Sequence, residues 1–306
     1  MKTPVALFIF NRLDTTKEVF AEIRAAQPPK LLVIADGPRP DRLGEDRECA
    51  ATRSIIEQVD WECQVLTKYS DINLGCRKSV SSGLDWVFSH VEEAIILEDD
   101  CVPHSTFFRF CEELLERYRY NEKIMSINGS NVQFGRRRNH YSYYFSRYFF
   151  CWGWATWRRA WQKYDVTMQQ WDKLRDSDFL KGILKDYRAV KYWDKFFQLT
   201  YENKKNTWAY QMLFTCWVNQ GFNIVPNVNL VSNIGFGKEA TNTQNKPETS
   251  LYSAQSTSAI EFPLKHPPTI AYNSQADDFT QKTLFNPSLL TRIIMKFNRI
   301  LGIKRI

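Results

Sequence analysis

AIILEDDCVPH, residues 94–104, runs from apolar residues into three consecutive acids, Glu98, Asp99 and Asp100. A short continuous apolar run that stops at a polar cluster reads as a strand buried on both faces. Clustered carboxylates repel one another, so leaving them unpaired raises the pKa of some of them. A divalent cation removes that strain. Mg2+ or Mn2+ prefers oxygen ligands and is often held by one or two carboxylates together with substrate phosphates. Taken alone, three acids in a row also read as a solvated acidic turn.

Working outward, the same strand pattern recurs on both sides of this stretch. PVALFIF (4–10), KLLVIADGPR (30–39), CQVLTKY (63–69), EEAIILEDD (92–100) and KIMSING (123–129) are strands. Helical segments alternate with them. Val19, Phe20 and Ile23 follow the first strand, where Thr15 and Glu18 have the spacing of a capping box. Ala51, Ile55, Ile56 and Val59 form a second stripe, and 74–90 and 105–118 are two further helices. This alternation predicts an open, mostly parallel α/β sheet over residues 1–130. Such sheets bind ligands outside the carboxyl ends of their strands. Asn11-Arg12, Asp36-Gly37 and Glu98-Asp99-Asp100 all fall on that edge, and Arg77 and Lys78 open the helix that begins near Gly75. A helix N-terminus with two cations suits a diphosphate.

Beyond residue 130 the character changes. Residues 134–161 are rich in aromatics and arginine, 162–207 are polar and helix-like, 208–221 read as a helix and 222–237 as a pair of extended strands. Residues 238–288 hold five prolines and read as an extended polar segment. The tail, 289–306, places Arg292, Lys296 and Arg299 at helical spacing beside Leu289, Ile293, Phe297 and Ile300. It reads as a basic amphipathic helix suited to an anionic membrane surface, with docking on the body as the competing reading.

Composition narrows the classes. No acid follows Asp278, whereas six lysines and arginines do; without those six the formal charge falls from +7 to +1. The excess charge therefore belongs to the tail, which argues against a nucleic-acid-binding face. The seven cysteines are scattered without CxxC pairing and read as reduced thiols of a cytosolic protein. No run is long enough to span a bilayer, and no signal peptide is evident.

Six stretches carry a resemblance: VALFIFNR (5–12), VIADGPR (33–39), NLGCRKSV (73–80), ILEDDCVPH (96–104), CWGWATW (151–157) and NVNLVSNIGFG (227–237). In this order they resemble a GT-A fold glycosyltransferase of a bacterial group related to the eukaryotic N-acetylglucosaminyltransferase I family. The resemblance implies one GT-A domain. Residues 1–130 would be its nucleotide-sugar-binding half and 131–241 its aromatic-rich acceptor half, followed by the polar segment 242–288 and the tail 289–306. It implies transfer of a hexosyl or N-acetylhexosaminyl group, with inversion, from a UDP-linked donor to a glycan or lipid-linked acceptor. The setting would be the cytoplasmic face of the membrane, in bacterial surface-polysaccharide synthesis.

The resemblance also implies roles. Asp100 would hold Mn2+ or Mg2+, Asp99 the ribose hydroxyls, and Glu98 the donor sugar. Asp36, with Gly37, would read the base. Asn11, Arg12, Arg77 and Lys78 would contact the nucleotide or its phosphates. The family's general base is an aspartate in a Trp-Asp-Asp-Trp stretch, and the corresponding residues here are Trp208-Ala209-Tyr210-Gln211. Glu239 is the substitute candidate, competing with an exposed loop acid. Asn242 stands where some enzymes of this fold place a histidine metal ligand. Trp152, Trp154 and Trp157 are read either as a sugar platform or as core, and Gly153 as a point of close backbone approach, with the donor sugar as one candidate neighbour. Two rivals remain: a sugar-nucleotide-binding protein without turnover, and a sugar-phosphate nucleotidyltransferase, which normally carries a glycine-rich signature near its first strand.

Overall fold

The computed structural model describes residues 1–236 and 255–287. The chain opens with β1 (Val5–Ile9), α1 (Leu13–Ala26), β2 (Lys30–Ala35), α2 (Glu45–Arg53), β3 (Gln64–Tyr69), α3 (Gly75–His90) and β4 (Glu93–Glu98). β5 (Cys101–Pro103), α4 (Thr106–Tyr118) and β6 (Ile124–Asn128) follow, then β7 (Tyr143–Ser146), β8 (Trp154–Trp157), α5 (Arg158–Trp161), α6 (Trp171–Arg175) and α7 (Phe179–Ile183). The rest comprises α8 (Tyr187–Tyr201), α9 (Ala209–Val218), β9 (Phe222–Pro226), β10 (Val231–Asn233) and α10 (Ser274–Thr280), which widens into a π-helical turn, Gln281–Phe285.

The result is a mixed α/β fold. Eight strands form one sheet in the order β3-β2-β1-β4-β8-β6-β9-β7, and β10 pairs with β5 in a small second sheet. β3, β2, β1 and β4 are mutually parallel, whereas β8 runs antiparallel to both β4 and β6. The fifth strand of the expected parallel set, β6, is thus separated from β4 by a strand of the aromatic stretch.

Both faces of the sheet are covered, as the apolar runs require. Val5, Leu7 and Ile9 of β1 pack with Val19, Phe20 and Ile23 of α1 and with Phe107 and Phe110 of α4. Ala6 and Phe8 point to the other face, against Val80, Leu84 and Val87 of α3. That second layer continues into Trp171, Trp193, Phe197 and Trp217. Rings dominate it, each side chain contributing about 1.5–3 kcal/mol on burial.

Three local expectations are corrected. The capping box before α1 does not form: Thr15 and Thr16 donate their hydroxyls back to the Arg12 carbonyl instead of accepting from the first turn. The aromatic stretch contains β7 and β8 and is largely core. And α10 interrupts the proline-rich segment, capped by Asn273, whose side chain accepts from the Ala276 amide. α10 is pinned by Asp277, which accepts from the Ser146 hydroxyl (2.6 Å) and from Arg147 Nε (3.0 Å).

Candidate functional site

In the order β2-β1-β4 the chain turns to one side of β1 and later to the other, so the crevice of this sheet lies at the carboxyl ends of β1 and β4. Arg12 follows β1, and Asp99 and Asp100 follow β4. The structure joins them. The Arg12 guanidinium makes a forked pair with Asp99, and its Nη2 also reaches Asp100 Oδ2 at 2.9 Å. The other Asp100 oxygen accepts from Asn233 Nδ2 at 3.1 Å. The Asp100 backbone carbonyl accepts from the Ile234 amide at 2.8 Å. Asp100 is therefore held, by side chain and by main chain, from the end of β10.

Glu98 ends β4 beside them, with no hydrogen bond among the described residues. Burial, reinforced by Asp100 and Asp99, lifts its carboxyl to about 8. Burial also lifts Asp99 to about 6, opposed by Arg12. Three acids thus share one guanidinium, a local excess of negative charge that a divalent cation would relieve. Among the described residues no three His, Cys, Asp or Glu side chains form a ready-made metal cage. The donor set instead fits a cation that takes one or two protein carboxylates and completes its shell with phosphate oxygens and water.

The other candidate residues are placed as follows. Asp36 is buried and held by backbone: Oδ1 accepts from the amides of Gly37 (2.9 Å) and Leu74 (2.8 Å), and Oδ2 from Gly75 (3.0 Å), which leaves one acceptor site on Oδ2. It fastens the start of α3 to the end of β2. Gly37 leaves no room for a side chain, since a Cβ would lie 2.5 Å from the Ile72 backbone. Asn11 donates to Glu45 and Glu48 of α2. Arg77 is drawn to the rim, donating to Asn203 at 2.6 Å, and Lys78 is exposed.

Of the two readings of Trp154 the structure shows core, and Gly153 makes its close approach to protein. Trp154 is fully buried and stacks on Trp208, ring centroids 5.6 Å apart. The positive φ of Gly153 (61°) serves a close approach to Val231, which a Cβ would meet at 2.6 Å. Trp157 is core as well, its indole donating to the Leu115 carbonyl at 3.1 Å. Trp152 is half-buried and packs edge-on against Phe236, centroids 5.8 Å apart. Glu239, Asn242 and the tail 289–306 lie outside the described residues.

Two residues at the site had no role assigned from sequence, although both sit in the stretch 227–237: Asn233, and Gly235. A Cβ on Gly235 would lie 2.0 Å from Asp100 Oδ2 and 2.7 Å from Arg12 Nη1. The signal available was a glycine two residues past a short strand.

All seven cysteines are free thiols, and burial holds those of Cys101 and Cys151, beside the acids, well above their usual range. No helix among the described residues is long and apolar enough to cross a membrane.

No protein-family model matches the chain. No curated protein matches it. Among solved structures, it is similar to the mannosyltransferase PcManGT from Pyrobaculum calidifontis in complex with GDP-Man and Mn2+, at 10% identity and a TM-score of 0.37, over 72% of this chain and 70% of that one. It is similar to the galactosyltransferase LgtC in complex with donor and acceptor sugar analogs, at 8% identity and a TM-score of 0.34, over 57% of this chain and 66% of that one. In a second LgtC structure, an active-site mutant, the match spans 65% of that protein, at 9% identity and a TM-score of 0.36 over 57% of this chain. A UDP-glucose pyrophosphorylase complexed with UDP-glucose gives 12% identity and a TM-score of 0.27, over 48% of this chain and 62% of that one.

Proposed function

We propose that the protein is a metal-dependent glycosyltransferase of GT-A type. It would move a hexosyl or N-acetylhexosaminyl group from a UDP-linked donor to a glycan or lipid-linked acceptor, with inversion, in bacterial surface-polysaccharide synthesis. The observation that carries this reading is the convergence of Arg12, Asp99 and Asp100 where the strand order reverses, with Asp100 fixed by Asn233 and Ile234. Asp100, with Asp99 beside it, would hold Mn2+ or Mg2+, which supplies charge stabilisation to a departing nucleoside diphosphate. Arg12 is the chain's own contribution to that demand. It neutralises part of the acidic cluster and is free to turn a donor toward phosphate while keeping Asp99.

Asp36 supports the nucleotide end indirectly in this reading. Its carboxylate sets the turn from which Arg77 and Lys78 emerge, so base recognition would use its remaining acceptor site or the neighbouring backbone. Glu98, at the end of β4 beside the two aspartates, would face the donor sugar. Glu239 is proposed as the base. The tail 289–306 would keep the protein on the inner membrane face; deleting it is expected to release the protein into the soluble fraction without changing donor binding, measured by fractionation and titration.

A second reading, sugar-nucleotide binding without turnover, is favoured by one observation. The start of α9 offers Ala209, Tyr210 and a buried Gln211 whose amide atoms have no hydrogen-bond partner, but no carboxylate.

Calorimetric titration of UDP, GDP, CDP and dTDP, with and without Mn2+, tests the proposal. Tight binding of UDP alone, and only with metal, is the expected result; no binding of any of them by folded protein overturns it. Turnover with a suitable acceptor would exclude the second reading. In the same assay Gly235→Val is expected to weaken Mn2+-dependent UDP binding by about 10–100-fold, the usual cost of disturbing a group that supports a metal ligand.

A further inference from the structure

The sequence assigns the excess positive charge to the tail, yet the structure places a second cationic surface at the tail's root. Lys185, Arg188, Lys191 and Lys195 are all exposed, and none has an ion pair among the described residues. On α8, Arg188, Lys191 and Lys195 stand at i, i+3 and i+7, within about 60° of one another on the helix surface. Ala189, Trp193, Phe197 and Thr200 form the buried face of the same helix, which is diametrically opposite. The cations therefore occupy its most outward line. The acids near this helix are used elsewhere. Asp194 pairs with Arg175 and Glu202 with Lys204, while Asp186 caps the helix by accepting from the Arg188 amide. Tyr187, 75% exposed, sits at its first turn.

The last described residues are built onto this helix. Phe285 packs on Trp193 with ring centroids 4.7 Å apart, Gln281 accepts from the Trp193 indole at 2.8 Å, and Asn286 donates to the Arg188 carbonyl at 3.1 Å. Lys282, in the turn between them, is exposed. The acid-free basic tail thus departs from beside Arg188. At the other end of α8, Asn203 and Asn206 accept from the side chain and amide of Arg77, at the rim of the donor crevice. A helix of 15 residues is about 22 Å long, so one element links the tail root to the rim of the site.

We propose that the outward face of α8, with Lys185, Arg188, Lys191, Lys195 and Lys282 and the exposed Tyr187, docks on an anionic lipid bilayer independently of the tail. The line of Arg188, Lys191 and Lys195, with Asp186 and Asp194 lying off it, suits a planar anionic surface, and tyrosine suits the headgroup region. Its purpose, holding the crevice rim near a lipid-carried acceptor, rests on the function proposed above; the docking itself does not.

The test is co-flotation of the full-length protein with phosphatidylglycerol/phosphatidylcholine vesicles and with phosphatidylcholine alone, without any nucleotide. The variant Lys185→Gln/Arg188→Gln/Lys191→Gln/Lys195→Gln is compared with a control of equal charge change on other faces, Lys2→Gln/Lys17→Gln/Arg47→Gln/Lys123→Gln. At about fivefold per cation near the surface, the α8 variant should lose at least a hundredfold in binding to anionic vesicles, and the control far less. A chain truncated before residue 289 should retain salt-sensitive binding that the α8 substitutions remove. Equal loss in both variants, unchanged binding of the α8 variant, or α8-dependent binding to an oligonucleotide with vesicles ignored would each overturn the proposal. UDP titration of the same variants separates this outcome from failure of the glycosyltransferase reading.

Discussion

Asp100→Ala should abolish Mn2+-dependent nucleotide binding and lower turnover by about 10²-fold or more, the scale lost when charge stabilisation of a leaving group is removed, while the protein stays folded. The fold is spared because what anchors this position is largely main chain. The Asp100 carbonyl keeps its bond from Ile234 whatever the side chain, and Arg12 keeps its forked pair with Asp99. Asp100→Asn sharpens the test. It preserves shape and the capacity to accept from Asn233, while removing the charge and turning the atom that faces Arg12 from an acceptor into a donor. If both variants fail alike, the negative charge is what matters; full activity in either removes Asp100 from the metal. Circular dichroism and a melting curve close to the parent's would show that the loss is local.

The largest effect on stability is expected elsewhere, at Asp277→Ala. Asp277 is 1% exposed, and the Ser146 hydroxyl and the Arg147 amide and guanidinium all donate to it. Removing it takes the counter-charge from a mostly buried guanidinium, which keeps the Ile183 carbonyl and the Tyr272 ring, and leaves the Ser146 hydroxyl and the Arg147 amide without their acceptor. Breaking a buried pair from one side costs about 3–5 kcal/mol, which for a chain of this size lowers the melting temperature by about 6 °C or more. Scanning calorimetry reads this directly. A shift within a degree of the parent would mean that α10 adds nothing to the body it packs against. UDP binding measured well below the transition should be unchanged.

The first four strands and the edge that carries the acids were legible because β1, β2 and β4 are continuous apolar runs ending at polar residues. Their burial on both faces leaves few alternatives. The strands β7 and β8 were not legible. In YYFS and WATW every residue is buried, so neither the period of a strand nor that of a helix shows through. The two readings of Trp154 could not be separated for the same reason: a ring suited to a sugar is equally suited to stacking on Trp208. Asp36 shows another limit. Its place at a strand end was readable, but two of its bonds come from the amides of Leu74 and Gly75, nearly forty positions on, and no local pattern encodes that contact. Asn233 and Gly235 stood in a quoted motif, and only the pairing of β10 with β5 reveals that they brace Asp100.

The insertion of β8 between β4 and β6 carries a consequence for how the chain is made. On the ribosome the first four strands emerge in an order that lets them pair as they appear, but the outer edge of β4 stays open until residue 157 has been synthesised. β6 finds neither neighbour until β8 and then β9 arrive. An unpaired strand edge is a template for another nascent chain. Pairings this distant along the sequence also form slowly. A chain cut between β6 and β8 is therefore expected to aggregate, and aggregation during synthesis, rather than thermal unfolding of the finished protein, is where substitutions in residues 124–157 should first be felt.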